Sequence, residues 1–267
     1  MREPARREVA MRRLSFKKLF AVGAACLAAG LLPSCADNDS MMYIVGVAAR
    51  QSGACAVKAD LASTILAKGT MDRLLASDYT AALIVGNQLT QRGDRERLRT
   101  ETSKIALKGA EVHLENTQGA ELVPAFSAIG TGFVDSSEGA DAAPAVMFAT
   151  LIPASIAKTL PVGTVVSKVR VFGTTLGGQD VESAELLFPI DVCEGCLVSF
   201  PASARDLTAD GSEYQCLLSA DDTATATTDT ASPCQLGIDL PTPCTSCSGL
   251  YDFCRSPCSN PSYECPP

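Results

Sequence analysis

The sequence predicts an all-β protein: an antiparallel immunoglobulin-like β-sandwich of about seven or eight strands, followed by a disulfide-rich irregular C-terminal module. Three observations support this fold class. Apolar and polar residues alternate in several segments between residues 43 and 200, which is the pattern of half-buried strands. Turn-forming residues separate these segments at short intervals. Nine of the 12 cysteines follow residue 192. Because the chain has no tryptophan, "immunoglobulin-like" describes the architecture alone.

Each predicted strand depends on this alternation. In one of them Tyr79, Ala81 and Leu83 share a face, because successive side chains in a strand point to opposite sides. Residues 60–77 fit either a helix or a strand, and both interpretations stay open. The predicted strands are Tyr43–Ala48, Tyr79–Leu89, Ile105–Leu114, Phe126–Val134, Ala145–Ile152, Val165–Val171, Ala184–Val192 and Leu197–Phe200.

One predicted strand changes phase in its middle. Ile105 and Leu107 occupy odd positions, whereas Val112 and Leu114 occupy even ones, and Gly109 lies between them. One inserted residue restores the alternation, so the pattern predicts a β-bulge at Gly109.

The N-terminus has the pattern of an export signal. A basic head ends at Lys18, and the uncharged run from Leu19 to Leu32 follows it. A basic region, an apolar region and small residues at the end are typical of a signal peptide. The run is shorter than the about 20 residues that a membrane-spanning helix needs.

The residues that end this run carry a second signal. Leu32-Pro33-Ser34-Cys35 resembles the lipobox of bacterial lipoproteins. That resemblance implies that the Cys35 thiol takes a diacylglyceryl group and that cleavage follows Ser34. The alternative is ordinary signal cleavage that leaves a free cysteine. Ala36, in place of an aspartate, favours the outer membrane.

These signals divide the chain into four parts. Residues 1–34 are expected to be a lipoprotein signal peptide, 35–42 a tether, and 43–200 the β-sandwich domain. Residues 201–267 form a cysteine-rich tail with a linker rich in threonine, alanine and aspartate. Such a linker is flexible and polar. The tail has little apolar surface to bury, so we expect disulfides to hold it.

The cysteines fit an exported protein. Besides Cys35, and Cys26 in the signal peptide, ten remain, and an even number in an oxidising compartment indicates a disulfide framework. Cys55 lies far upstream of the others and is expected to connect the N-terminal segment to the tail. The candidate disulfide cysteines are Cys55, Cys193, Cys196, Cys216, Cys234, Cys244, Cys247, Cys254, Cys258 and Cys265.

The charge of the chain excludes one class of partner. Its net charge is −8, and from Glu121 onward eighteen acidic residues face five basic ones. Such a surface repels nucleic acid. Solubility is the main interpretation of this charge, and binding of a divalent cation is a second one.

Catalytic patterns are sparse in this sequence. His113 is the only histidine. With the bulge in place, it shares a face with Glu111 and should be exposed, so a Ser-His or Cys-His site is not expected. The sequence has no Gly-x-Ser-x-Gly elbow and no phosphate-binding loop. We therefore expect no enzymatic activity, no cofactor and no metal.

Two CxxC pairs allow sharper interpretations. Cys193 and Cys196 could bind zinc together with Cys244 and Cys247, since four thiolates suit tetrahedral zinc. Alternatively, Cys193 and Cys196 could form a redox pair, although a low thiol pKa is usually set by a helix N-terminus and the following residues predict a strand. Structural disulfides are the favoured interpretation.

Several segments of the mature chain resemble uncharacterised outer-membrane lipoproteins of myxobacteria. The resemblance implies an envelope lipoprotein with a β-rich domain and no assigned activity. The segments that carry it are Val169–Gly178, Glu185–Leu197, Gly69–Asp72, Tyr79 with Asn87–Leu89, and Cys244–Cys247.

Together these observations predict a lipid-anchored envelope protein with a non-enzymatic structural or binding role. Its expected partners are the membrane, through the lipid, and another envelope protein. Two alternatives remain: a thiol–disulfide oxidoreductase that uses Cys193 and Cys196, and a calcium-dependent adhesion module.

Overall fold

The computed structural model describes residues 41–50, 55–94, 99–139, 141–200, 216 and 234–263. Within these ranges the chain is almost entirely β, and the predicted all-β sandwich is confirmed. Eight strands have four or more residues, and four are shorter. The strands are β1 (Met42–Ala48), β2 (Ile65–Leu66), β3 (Gly69–Asp72), β4 (Tyr79–Asn87), β5 (Ile105–Asn116), β6 (Glu121–Val134), β7 (Ala143–Ile152), β8 (Gly163–Thr175), β9 (Asp180–Glu182), β10 (Leu186–Cys193), β11 (Val198–Ser199) and β12 (Thr242–Pro243).

Two main sheets form the sandwich. The smaller has the strand order β2-β1-β4-β7, and the larger has the order β3-β10-β8-β5-β6, with β9 paired to β8. Pairing is antiparallel except where β3 runs parallel to β10. The larger sheet is therefore mixed, whereas the smaller one is antiparallel throughout, as the sequence predicted for the sandwich. The parallel pair arises because β2 lies in one sheet and β3 in the other, so the chain crosses between sheets within two residues.

Helices contribute little to the described residues. The α-helix α1 (Ala154–Ala157) connects β7 to β8, and three 3₁₀ turns lie between Cys244 and Ser259. In this part of the chain no helix has the length and hydropathy of a membrane span. Residues 60–77 fitted both a helix and a strand in the sequence. In the structure they contain the two short strands β2 and β3.

The core lies between the two sheets. Leu83 of β4, Leu114 of β5 and Ile190 of β10 are completely buried in it. The opposite face of the larger sheet is polar: Lys168 Nζ lies 2.7 Å from Glu115 Oε1, and His113 Nε2 lies 3.6 Å from Glu111 Oε1. His113 thus lies on the outer face together with Glu111, as the alternation of β5 with its bulge predicted.

The register of β5 shifts where the sequence changes phase. The pairing of β5 with both β6 and β8 is irregular between Leu107 and Gly109, so the predicted bulge is confirmed. Gly109 is not among the glycines with positive φ. Its lack of a side chain matters for packing, because a Cβ there would lie 2.6 Å from the Ala128 carbonyl oxygen and 3.0 Å from the Phe172 ring.

A second, smaller core joins the end of the sandwich to residues 234–263, the C-terminal segment. It contains Val198 and Phe200 together with buried cysteines, and β11 pairs with β12. The C-terminal segment also reaches the main core, because Ile238 is buried there and pairs with Met71 of β3. Residues near 238 therefore pack as part of the sandwich.

Candidate functional site: the Cys193–Cys196 loop

A disulfide closes the loop that follows β10. Cys193 is the last residue of β10, and its sulfur is bonded to that of Cys196. Gly195 between them has a φ of +74°, a conformation that glycine adopts without steric cost. A Cβ on Gly195 would lie 2.3 Å from Asn260 Oδ1. This position therefore needs glycine for its backbone conformation and for its packing.

A buried carboxylate lies directly beneath this loop. The parallel register of β3 and β10 places Asp72 opposite Cys193, and Asp72 is fully buried. Its Oδ1 accepts the backbone N–H of Gly195 at 2.8 Å, and its Oδ2 accepts that of Leu197 at 3.2 Å. The N–H of Leu74 is also 3.2 Å from Oδ1. One carboxylate thus binds the CxxC loop and the turn after β3.

The environment of Asp72 has opposing effects on its pKa. Burial raises the pKa, and the three backbone N–H groups lower it. The charge of Glu194 raises it further. The net result is a pKa above the ordinary value for aspartate, because loss of solvent disfavours the charged form more than the hydrogen bonds favour it.

The C-terminal segment covers the other side of the loop. Asn260, which is buried, donates from Nδ2 to the Gly195 carbonyl at 3.1 Å. Ser262 Oγ donates to the Glu194 carbonyl at 2.6 Å. Tyr263 OH donates to the Val198 carbonyl at 3.0 Å. These contacts connect the end of the described chain to the CxxC loop.

Arg73 fixes the edge of the loop. Its backbone N–H donates to the Cys193 carbonyl at 2.9 Å, and its Nε donates to Glu194 Oε1 at 2.8 Å. Its Nη1 also donates to the Leu160 carbonyl. Because these groups are only partly exposed, the ion pair is less screened by water than a surface pair.

The two cysteines of this loop differ in their exposure to solvent. Cys196 is exposed, whereas Cys193 is half-buried and its Sγ lies 3.6 Å from the Met71 carbonyl oxygen. A carboxylate oxygen of Asp72 and both sulfurs all lie within 4.8 Å of one another. The site therefore combines an accessible disulfide with a buried acid.

A four-cysteine zinc site is not formed. Cys244 is bonded to Cys216, and Cys247 is bonded to Cys254. These sulfurs are therefore not available to join Cys193 and Cys196. Among the described residues, the one group with metal-ligand geometry is Asp72 with Cys193 and Cys196, and its carboxylate oxygens already accept backbone N–H groups.

The remaining cysteine predictions have mixed outcomes. Cys55 is bonded to Cys234, which confirms the expected link between the N-terminal segment and the tail. Cys258 is also disulfide-bonded. Cys265 and the lipidation candidate Cys35 lie outside the described residues.

Sequence reasoning missed Asp72 as part of this site. Its signal was its place directly after Gly69-Thr-Met, at the end of a short apolar segment in a region of ambiguous secondary structure. Only the parallel pairing of β3 with β10 brings Asp72 to Cys193. Strand pairing between distant segments is not encoded in local periodicity.

One cavity lies apart from this site. It has a volume of about 510 Å³ and lies between the end of β1 and the segment before β2. Its lining is mostly small apolar residues, with Lys58 and Ser63 among the polar ones. Ser63 Oγ already donates to the Lys58 carbonyl. The cavity therefore presents few free polar groups to orient a ligand.

No family model matches this chain, and neither does any curated protein. The fold and the site define an all-β sandwich that carries a disulfide-closed CxxC loop above a buried aspartate.

Proposed function

We propose that this chain is a lipid-anchored bacterial envelope protein that lies outside the cytoplasm and has a non-enzymatic structural or binding role. The observation that carries the proposal is the disulfide framework, since four complete disulfides lie within the described residues. Such bonds persist in exported proteins and are rare in the cytosol.

The anchor in this proposal is Cys35. One acyl chain gives marginal membrane binding, whereas two or more give stable binding. From Cys35 to Tyr43 the tether is eight residues long, which spans at most about 28 Å when extended. The sandwich would therefore remain close to the membrane surface, with the outer membrane as the proposed location.

The proposed role is to bind or support another envelope protein. The solvent-facing side of the larger sheet carries side-chain ion pairs, among them Arg170 with Glu182 at 3.7 Å and Lys108 with Asp180 at 3.6 Å. Such a polar face suits a protein that stays soluble at a membrane. The acidic balance of the chain disfavours nucleic acid as a partner.

Metabolic labelling with a clickable fatty acid tests the anchor. The wild-type protein should carry the label, and Cys35→Ala should remain an unlabelled precursor. Cys26→Ala is the matched control, because Cys26 lies within the apolar run but outside the lipobox, and it should label like the wild type. Equal label on wild type and Cys35→Ala would contradict the proposal.

Calcium-dependent adhesion is a separate function with its own test. An adhesion module of this kind should gain thermal stability on addition of calcium, because a ligand that binds only the folded state stabilises it. We expect no such gain for a structural or protein-binding role.

A further inference from the structure

The Cys193–Cys196 bond closes the smallest loop of the described disulfides. Its cysteines are three positions apart, whereas the others are separated by 7, 28 and 179 positions. In the chain-entropy account, a disulfide stabilises more when it closes a longer loop. The fold therefore depends least on Cys193–Cys196.

Non-covalent contacts hold this loop independently of its disulfide. Asp72 binds the N–H groups of Gly195 and Leu197 from one side. Asn260 and Ser262 bind carbonyl groups of the loop from the other side. None of these hydrogen bonds involves a sulfur atom. We therefore expect the loop to keep its position when the disulfide is reduced.

The exposure of Cys196 also distinguishes this disulfide from Cys216–Cys244 and Cys247–Cys254, whereas Cys258, which is disulfide-bonded too, is exposed. Cys196 is exposed, whereas Cys216, Cys244, Cys247 and Cys254 are all at most 3% exposed. A thiolate must reach a sulfur along the axis of the disulfide in order to attack it, so access controls the rate.

We propose that Cys193–Cys196 is a thiol–disulfide exchange site for an external dithiol, with Asp72 as the neighbouring acid. The thiolate of the dithiol attacks Cys196 Sγ, and a mixed disulfide forms as the bond to Cys193 breaks. The Cys193 sulfur leaves with the electron pair and takes a proton from the Asp72 carboxyl group. The second thiol of the dithiol then attacks the dithiol sulfur that is bonded to Cys196, its proton passes to Cys196 Sγ, and Cys196 is released as a thiol. The dithiol loses two electrons, and the protein disulfide gains them.

Charged groups lie on the elements that pack against β3 and its Asp72. Glu194 lies on the loop itself and raises the pKa of Asp72, and Arg73 is bonded to Glu194. On β10, Asp191 is paired with Lys68. Asp239 lies on the C-terminal segment that packs against β3 and binds Thr70.

The charge of Asp72 controls the exchange in this mechanism. When the carboxyl is protonated, it supplies the proton that the leaving sulfur needs. When it is ionised, its negative charge opposes a second negative charge on Cys193. The rate per attacking thiolate therefore falls as the pH rises through the pKa of Asp72.

Selective reduction tests the exchange site. Full-length protein is treated with increasing dithiothreitol, alkylated and analysed by mass spectrometry, while circular dichroism follows the fold. We expect Cys193 and Cys196 to be alkylated at roughly tenfold lower reductant than the buried Cys216, Cys244, Cys247 and Cys254, with the fold intact. Reduction of all pairs together, or loss of fold on reduction of this pair, would overturn the proposal.

The role of Asp72 has a separate readout. The rate of Cys193–Cys196 reduction is measured from about pH 4 to about pH 8 and divided by the concentration of attacking thiolate. We expect a fall on the order of tenfold in the wild type and a flat profile in Asp72→Asn. Asp239→Asn is the matched control, since Asp239 is a half-buried carboxyl whose pKa is also raised but which binds Tyr79 and Thr70, and it should keep the wild-type profile.

The outcomes separate the two parts of the proposal. A flat profile in the wild type, or a wild-type profile in Asp72→Asn, would overturn the role of Asp72 while selective reduction stands. If Asp72→Asn fails to fold, the cyclic peptide of residues 190–199 serves as the reference that lacks Asp72. A profile for that peptide that matches the folded wild-type protein would overturn the role in the same way.

Discussion

The sandwich and the C-terminal segment bury different kinds of residue. In the sandwich Leu83, Ile105 and Ile190 are fully buried within one continuous apolar core. In the segment from Cys244 to Tyr263, the buried residues of the small core are Cys244, Cys247 and Cys254, with short 3₁₀ turns between them.

This difference shows how one chain can be stable by two means. A large β domain removes enough apolar surface from water to stabilise itself. A segment of about twenty residues does not, and small exported units of this size usually depend on disulfides. We therefore expect the sandwich to tolerate reduction and the C-terminal segment to depend on its cysteines.

The largest effect is expected from the apolar core. Ile190→Ala removes a fully buried side chain on β10, and the free energy of unfolding should fall by about 2–5 kcal/mol, because a cavity is left. Leu187→Ala on the same strand is the control, since Leu187 is 59% exposed. Urea denaturation measures both variants. Equal losses of stability would contradict the assignment of Ile190 to the core and of Leu187 to the solvent face of β10.

The bulge in β5 should be almost as sensitive. Gly109→Val places atoms where the Ala128 carbonyl and the Phe172 ring lie, so we expect a loss of about 1–3 kcal/mol from overpacking. Gly132→Ala is the control, because its Cβ would have ordinary contacts, the nearest at 3.7 Å from Leu107. An unchanged urea midpoint for Gly109→Val would contradict the close packing at the bulge.

Two buried serines in the sandwich should differ in their response to alanine substitution. Ser183 Oγ accepts the N–H of Val171 and donates to the Ala184 carbonyl, so Ser183→Ala should destabilise by about 1–3 kcal/mol. Ser167 Oγ is buried without a hydrogen-bond partner among the described residues. Ser167→Ala should therefore be neutral or stabilising. A loss of stability at Ser167 equal to that at Ser183 would reveal a partner for its hydroxyl.

The smallest effect concerns the contact between the two regions. Asp239 accepts hydrogen bonds from Tyr79 OH and from the N–H of Thr70, and burial raises its pKa. The folded state therefore holds the proton more tightly than the unfolded state does. Its contribution to stability falls as the pH rises from the ordinary aspartate range through the folded pKa. Asparagine keeps an acceptor oxygen and tolerates the left-handed backbone of this position.

Urea denaturation at several pH values checks this sign. The stability of wild type relative to Asp239→Asn should decrease as the pH rises. Asp191→Asn is the matched comparison with the opposite trend, because the hydrogen bond from Lys68 lowers the pKa of Asp191. The stability that ionised Asp191 provides is lost as the pH falls through its folded pKa. If stability relative to both variants changed with pH in the same direction, the raised pKa of Asp239 or the lowered pKa of Asp191 would be contradicted.

The sequence predicted the parts of the fold that local patterns determine. The phase change at Gly109 follows from side-chain direction within one strand, and the structure confirms it. Tyr79, Ala81 and Leu83 do share one core face, but Ala82 and Ile84 are buried on the other face, so β4 is not the half-buried strand that the alternation predicted. The parallel contact of β3 with β10 depends on residues more than a hundred positions apart. Periodicity within either segment carries no information about that pairing, so neither the mixed sheet nor the place of Asp72 followed from the sequence.

The cysteine chemistry was predictable in kind but not in connectivity. An even set of cysteines in an exported chain indicates disulfides, and Cys55 could be expected to reach the tail. Which tail cysteine it meets, Cys234, depends on how the C-terminal segment packs against the sandwich. The hydrogen bond from Asn260 to the Gly195 carbonyl of the CxxC loop also depends on that packing.

Hydrogen exchange before and after full reduction tests the contrast between the two regions most directly. Each lost disulfide typically costs roughly 2–5 kcal/mol in a small exported unit. After reduction, we expect the amides of residues 244–263 to exchange rapidly, while those of β5 and β8 keep their protection. Simultaneous loss of protection in β5, β8 and residues 244–263 would show that disulfides, and not the apolar core, hold the sandwich together.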